Sequence, residues 1–354
     1  MARPLVTDAI PFIFSRLSPP RLASKIADQL KLPADAPPAL RLIHFIGKMP
    51  ALQKLGQVLA RNTHLDPALR RELSTLENGI RDVEFEEINA VIERELGRKL
   101  TANSVRIEPR IFSEASVSAV VRFTYPGGSA IFKVLKPHIP DCFAEDLELL
   151  QELADFVATG AKDYGFTDVN VVETFTEIRR LLEHEVKFEY EQKNLVQAAG
   201  IFKCPGVGIP QIIPELCTPS VTAMSEESGV KITELRGQSA VLRREVAKRV
   251  VETLLVNPLF SSAEEALFHA DPHAGNLLYD ARSDRLVILD WALTGQLNRS
   301  QRRQICMLLA MLGLRDVEGV SAAIQALSQE CGSVRDSISS TGLRSRASGS
   351  PPSY

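Results

Sequence analysis

Residues 117–135 carry two runs rich in β-branched and aromatic side chains, 117–125 and 129–135, separated by Pro126-Gly127-Gly128. Runs this close around a turn-forming triplet can pair only as an antiparallel hairpin. A third run of the same kind, 105–112, adds a neighbouring strand. The small sheet marks a boundary, because everything before it reads as helix. Apolar spacing and breakers predict helices over 39–48, over 51–62 after Pro50, over 66–78, and over 84–96 ended by Gly97. Beyond the sheet the pattern predicts helices over 141–160 and 172–199. Strands follow near 207–213 and 220–225, then a helix over 239–256. Strands at 277–279 and 286–289 flank a turn at 280–284, and helices over 299–314 and 317–327 close the ordered part.

Charge and cysteine content narrow the class. With 41 basic and 44 acidic residues the formal net charge is −3, so no global attraction to nucleic acid exists and no nucleic-acid partner is expected. The 5 cysteines are odd in number and contain no CxxC pair, which argues against a disulfide framework and for a reducing compartment. No apolar run approaches the roughly 20 residues of a membrane-spanning helix, and the N-terminus lacks a secretory signal. The chain is expected to be soluble and cytoplasmic. Residues 1–50 hold seven Lys/Arg against three Asp, interleaved with Ile10, Phe12, Ile13, Phe14, Leu17 and Leu22. That pattern suits either a helix packed on the body or a peripheral contact with an anionic membrane.

The densest chemistry lies in His269-Ala270-Asp271-Pro272-His273-Ala274-Gly275-Asn276, followed by Val287-Ile288-Leu289-Asp290-Trp291-Ala292. An Asp and an Asn five residues apart, with a second Asp 14 residues later at the end of an apolar strand, is the spacing of a phosphoryl-transfer site. Asp271 can orient or deprotonate a hydroxyl, while the oxygens of Asn276 and Asp290 can hold Mg²⁺ against nucleotide phosphates. The same stretch admits a second reading in which His269, Asp271 and His273 are ligands of a bound metal in a hydrolase. A lysine inside an apolar strand, Lys133 in Ala130-Ile131-Phe132-Lys133-Val134, needs an anionic partner to be buried. It is the position from which a nucleotide kinase grips phosphates, with a helical glutamate, Glu191 or Glu185, as its mate.

These residues resemble the UbiB family of atypical protein-kinase-like proteins, also called AarF or ADCK proteins, from about Gln53 to Leu314. Lys54-Leu55-Gly56-Gln57 is similar to the family's K-x-G-Q signature, and Ser113-Glu114-Ala115-Ser116-Val117-Ser118 stands where the family has an alanine-rich nucleotide loop. Lys133 matches the strand lysine. Glu185 to Asn194 resembles the E-x-D segment and the Glu-Ala-x-Asn after it, His269 to Asn276 the H-x-D-P-H-x-G-N loop, and Asp290 the D-F-G aspartate. The departures are Lys187 in place of the E-x-D aspartate, Gln192 in place of alanine, and Trp291-Ala292 in place of Phe-Gly.

The resemblance implies an α+β, two-lobed protein-kinase-like fold with an N-terminal helical extension over 1–100. A small nucleotide-binding lobe would span 101–225 and a mainly helical large lobe 226–330; the serine-rich composition of 331–354 predicts a disordered tail. The resemblance also implies ATP and Mg²⁺ as cofactors, with Asp271, Lys133 and Glu191 catalytic and Asn276 and Asp290 on the metal. Ala115, Ser116, Lys133, Glu226, Lys54, Gln57 and Glu185 would contact or frame the nucleotide, Glu226 where the chain crosses between lobes. The implied activity is an ATPase or atypical kinase in ubiquinone or other prenyl-lipid metabolism, with a prenyl-lipid or phenolic acceptor. Only eight residues separate Asp290 from the helix at Arg299, which leaves no activation segment to seat a peptide. The alternative is a non-catalytic, nucleotide-gated pseudokinase that presents a lipid or assembles a complex.

Overall fold

The computed structural model describes residues 2–60, 70, 71, 73, 81–161, 164 and 170–329. Most of the helix expected over 66–78, and the tail over 331–354, lie outside the described residues. Helices α1 (Ala2–Arg16), α2 (Pro19–Leu30), α3 (Pro38–Ile46), α4 (Pro50–Ala60), α5 (Phe85–Leu96) and α6 (Arg98–Ala102) lead into strands β1 (Arg106–Glu114), β2 (Ser118–Tyr125) and β3 (Gly128–Leu135). Then come α7 (Ile139–Thr159), α8 (Val171–Glu185), α9 (Phe188–Ile201), β4 (Val207–Gly208), β5 (Val221–Ser225) and β6 (Val230–Lys231). The described chain continues with α10 (Ala240–Val251), β7 (Glu265–His269), β8 (Leu277–Asp280), β9 (Arg285–Ile288), β10 (Thr294–Asn298) and α11 (Arg299–Leu314), with a further helix over 317–329.

The chain divides into two compact units. One holds the described residues up to 200 with 209–227 and 290–293, and the other holds 201–208, 228–289 and the described residues from 294 on. In the first unit the sheet runs β1-β2-β3-β5, with Val120 opposite Lys133 and Lys133 opposite Thr222. Tyr125 pairs with Gly128, whose φ of +120° suits glycine and little else. Alternation along β3 turns Phe132 and Val134 into the core and Lys133 to the opposite face. Local chemistry sets the helix starts: Glu84 and Glu87 form a capping box on α5, and Asn170 caps α8 by accepting from the Glu173 N–H.

Among the described residues two cores hold this unit. One joins Ile13, Met49 and Leu52 of the N-terminal helices to Leu150 of α7 and Ile178 and Leu182 of α8. The other packs Ile88 and Ile92 of α5 on Phe123 and Phe132, whose rings stack at 3.9 Å. Burying each such side chain contributes about 1.5–3 kcal/mol. Phe12 stacks on Phe156 at 4.5 Å and Phe14 on Phe45 at 5.0 Å. Phe12, Ile13, Phe14, Leu17 and Leu22 of the N-terminal apolar stripe thus pack within this unit. Among the described residues no helix is long and apolar enough to cross a membrane.

In the second unit a sheet of order β4-β9-β8-β6 carries the expected β8–β9 hairpin, and β7 pairs with β10 antiparallel from Glu265–Asn298 to His269–Thr294. The strand expected over 207–213 shrinks to Val207–Gly208, because Pro210 offers no ladder N–H. The helix expected over 239–256 becomes α10, a π-helical turn over Glu252–Val256 and a last turn at Asn257–Leu259. The single helix expected over 172–199 is broken at Val186-Lys187. Its buried stripe steps from Phe175 to Ile178 to Leu182 and then slips to Phe188, out of helical phase.

His138, ahead of α7, has both ring nitrogens buried with no partner among the described residues. Burial lowers its pKa to about 4. Its unfolded counterpart titrates near 6.5, so folded and unfolded chains are both neutral there above that pH. As pH falls from about 6.5 to about 4 the unfolded state takes the proton first, and up to about 3 kcal/mol of stability is lost. His138→Phe is expected to flatten this part of the acid limb, read as Tm against pH for both proteins. Parallel curves would show that His138 does not set it.

Candidate active site

Lys133 Nζ donates to both oxygens of Glu191, at 2.9 and 2.7 Å, and lies 3.7 Å from Asp290 Oδ1. Burial alone would lower the lysine's pKa, but Asp290 and Glu191 outweigh it and hold the ammonium charged, above the ordinary lysine range. The Glu191 carboxyl is pushed upward by burial, with Lys133 opposing. Nζ donates to both Glu191 oxygens, the geometry of an ammonium paired with a carboxylate. Helix α9 places Asn194 three residues after Glu191, on the same face, and its Nδ2 donates to Trp291 O at 2.9 Å. One helix thus fixes the strand lysine and the backbone next to Asp290. Asp290 has φ of +52°, a left-handed conformation that aspartate tolerates better than most residues, and Ala292 N–H returns to its Oδ1 at 3.3 Å. Trp291 beside it is fully buried.

The break between α8 and α9 separates the two candidate glutamates. Glu191 takes Lys133, whereas Glu185 accepts from Lys54 Nζ through Oε1 and from Ser116 Oγ at 3.3 Å through Oε2. Ala115 is exposed and Ser116 buried in the turn that Ala115 N–H closes on Ser118 O. Gln57 is half-buried on α4. Glu226 follows β5, pairs with Arg122 at 2.6 Å and donates its N–H to Ser129 O at 3.4 Å. Gln192, one of the departures, reaches Thr218 O at 2.9 Å and Thr222 Oγ1 at 3.0 Å, tying α9 to the start of β5. Lys187 is exposed, with its ammonium over the Tyr190 ring at 5.8 Å.

In the second unit the loop from His269 to Asn276 is framed by its own main chain. Asp271 N–H donates to His269 Nδ1 at 3.2 Å, and His269 Nε2 donates to Leu289 O at 3.1 Å. His273 N–H bonds Asp271 O at 2.8 Å, and Asn276 Nδ2 bonds the same carbonyl at 3.4 Å. Both ring nitrogens of His269 are therefore engaged with the backbone, and the reading of His269, Asp271 and His273 as metal ligands fails for want of a free lone pair on the first. Among the described residues no cluster of three His, Cys, Asp or Glu is arranged to hold a metal. Asp271 is half-buried, with Oδ2 3.8 Å from His273 Nε2. Using Nδ2 on the loop leaves Asn276 Oδ1 as its oxygen donor.

Asn194 is legible in the sequence only as the polar residue one turn after Glu191, at the end of the Glu185–Asn194 segment. Lys136 and Asp82 belong to no motif, and Glu114 appears only as part of the 113–118 loop. The only signal was a second lysine three residues beyond Lys133.

Residues 75–324 match the family model described as the ABC1 atypical kinase-like domain. The chain is 26% identical over 258 residues to "Protein ACTIVITY OF BC1 COMPLEX KINASE 8, chloroplastic" of Arabidopsis thaliana, covering 72% of this chain and 33% of that protein. It is 27% identical over 276 residues to the probable protein kinase UbiB of Tolumonas auensis, covering 75% of this chain and 49% of the relative. The chain thus spans about a third to a half of the length of these curated relatives. A Mycobacterium tuberculosis structure, the complex of Rv3197 with erythromycin, resembles the chain with a TM-score of 0.55 at 16% identity, covering 77% of this chain and 67% of that one. At that identity the likeness is one of fold.

Proposed function

The chain belongs to the ABC1 atypical kinase-like family, which includes UbiB-type proteins, and its architecture is the two-lobed α+β kinase-like fold; from that premise we propose that it binds MgATP and acts as an ATPase or small-molecule kinase. The observation that carries this reading is the Lys133–Glu191–Asp290 cluster, a buried cation held charged beside an aspartate on strained backbone. Lys133 would grip the nucleotide phosphates, and Glu191 would fix Lys133. Asp271 would orient or deprotonate the acceptor hydroxyl. Glu185, held by Lys54, would frame the phosphates with Ser116.

Asp290 and Asn276 offer the hard oxygen donors that suit Mg²⁺, and they are the residues that would hold it. When bound, the metal would neutralise phosphate charge. The acceptor class we propose is the prenyl-lipid or phenolic small molecule that the sequence resemblance implies, and the eight-residue connection from Asp290 to Arg299 supports a small acceptor over a peptide. Lys187 favours one further reading, a nucleotide-gated binding protein without turnover, because its exposed ammonium stands where the family carries an aspartate.

MgATP at 100 times its Kd is expected to stabilise the folded wild type by about 2.7 kcal/mol, a shift of several degrees in Tm. Asp290→Asn keeps a side chain tolerant of positive φ but removes the charge, and should lose the Mg²⁺-dependent part of that shift. No shift with any nucleotide would overturn nucleotide binding. A shift without turnover on lipid, phenol or water would select the binding-protein reading.

A further inference from the structure

At the far end of β3 from the hairpin, just beyond the strand, lies a second lysine, Lys136, which is completely buried. Its ammonium reaches Asp82 Oδ1 at 2.6 Å and Glu114 Oε2 at 3.1 Å, with the glutamate side chain only 4% exposed. Glu114 Oε2 also accepts from Asp82 N–H at 3.2 Å. Asp82 Oδ2 in turn accepts from Lys48 N–H at 2.8 Å and Gln53 Nε2 at 3.2 Å. The Lys136 N–H meanwhile donates to Val117 O at 2.9 Å. One residue therefore holds both ends of the segment 114–117, the side chain of its first residue and the carbonyl of its last.

A buried ionic group of this kind adds little net stability over an apolar replacement, so its value lies in fixing a geometry. The geometry it fixes here is the turn between β1 and β2. No glycine occurs between Gly97 and Gly127, and no residue of 114–117 has positive φ. The turn is held by contacts from neighbouring elements. Gln53 reaches it through Asp82 and Glu114, and Lys54 reaches it through Glu185 and Ser116. Two consecutive residues of α4 thus secure the two sides of one turn.

We infer that Lys136, with Asp82 and Glu114, is a positioning node that keeps the 114–117 turn in its nucleotide-binding form; the inference rests on the ATP-binding reading above. Ordering a loop residue on binding lowers affinity by roughly tenfold, because about 1–2 kcal/mol of backbone entropy is lost. A turn ordered before binding avoids that loss.

The test is Glu114→Gln in the full chain, which removes the Glu114 charge and keeps the Lys136–Asp82 pair. Amide hydrogen exchange at 115–118 without nucleotide should quicken at least tenfold, and the MgATP Kd should rise roughly tenfold. Asp290→Asn should weaken MgATP binding and leave exchange at 115–118 at the wild-type rate. If Glu114→Gln does not fold, Glu114→Asp, one methylene short of Lys136, carries the same expectations. Wild-type exchange or wild-type affinity in the folded variant overturns the node, provided the wild type binds MgATP. Failure of the wild type to bind MgATP overturns the functional reading, and the inference falls with it.

Discussion

Asp271→Asn is expected to lower turnover by about 10²–10⁴-fold, the usual loss when a positioned base is removed, and to leave MgATP affinity at the wild-type level. The geometry of the loop separates the two effects. Its bonds to residue 271 run through main-chain atoms: the N–H on His269 Nδ1, and the carbonyl that receives His273 N–H and Asn276 Nδ2. An isosteric amide keeps all of them and removes only the carboxylate, whose nearest charged neighbour is His273 at 3.8 Å. Turnover is measured with saturating MgATP on phenolic, lipid and water acceptors. Equal rates for variant and wild type would remove Asp271 from the chemistry, and reduced MgATP affinity would show that the carboxylate serves binding instead.

The candidate site residues were easier to pick out in the sequence than the scaffold that holds them. Asp271, Asn276 and Asp290 stood out as polar residues at strand ends and turns, and Lys133 as a charge inside an apolar strand. The hairpin was equally plain, because Pro126-Gly127-Gly128 allows no other connection. The break between α8 and α9 was hidden, since Glu185-Val186-Lys187-Phe188 contains no Gly or Pro and only a slip in the phase of buried residues marks it. That break decides which glutamate meets Lys133 and which meets Lys54, a choice spacing alone left open. Strands β7 and β10 were hidden for another reason. Thr294-Gly295-Gln296-Leu297-Asn298 has little β character of its own and is held in register by its partner. The Lys136–Asp82–Glu114 node joins three segments distant in sequence, and nothing local announces it.

Lys133→Met is expected to destabilise the apo protein by about 3–5 kcal/mol, although methionine fills nearly the same volume, because it leaves a buried carboxylate without its cation. Both Glu191 oxygens bond Lys133, and the residue is only 3% exposed, so water cannot take over. Asp290 suffers less, since its side chain is 45% exposed. The double variant Lys133→Met/Glu191→Leu removes both charges and should recover most of the loss, a strong departure from additivity that denaturant unfolding of the two single variants and the double variant would measure. If Lys133→Met is as stable as the wild type, Glu191 is not ionised in the fold and the paired-charge account of the cluster fails. Neither Lys133 variant should bind MgATP. A double variant that is stable yet unable to bind nucleotide would mean that apolar side chains can fill this space as well as the ion pair does, and that what the pair uniquely supplies is a fixed positive charge for phosphate.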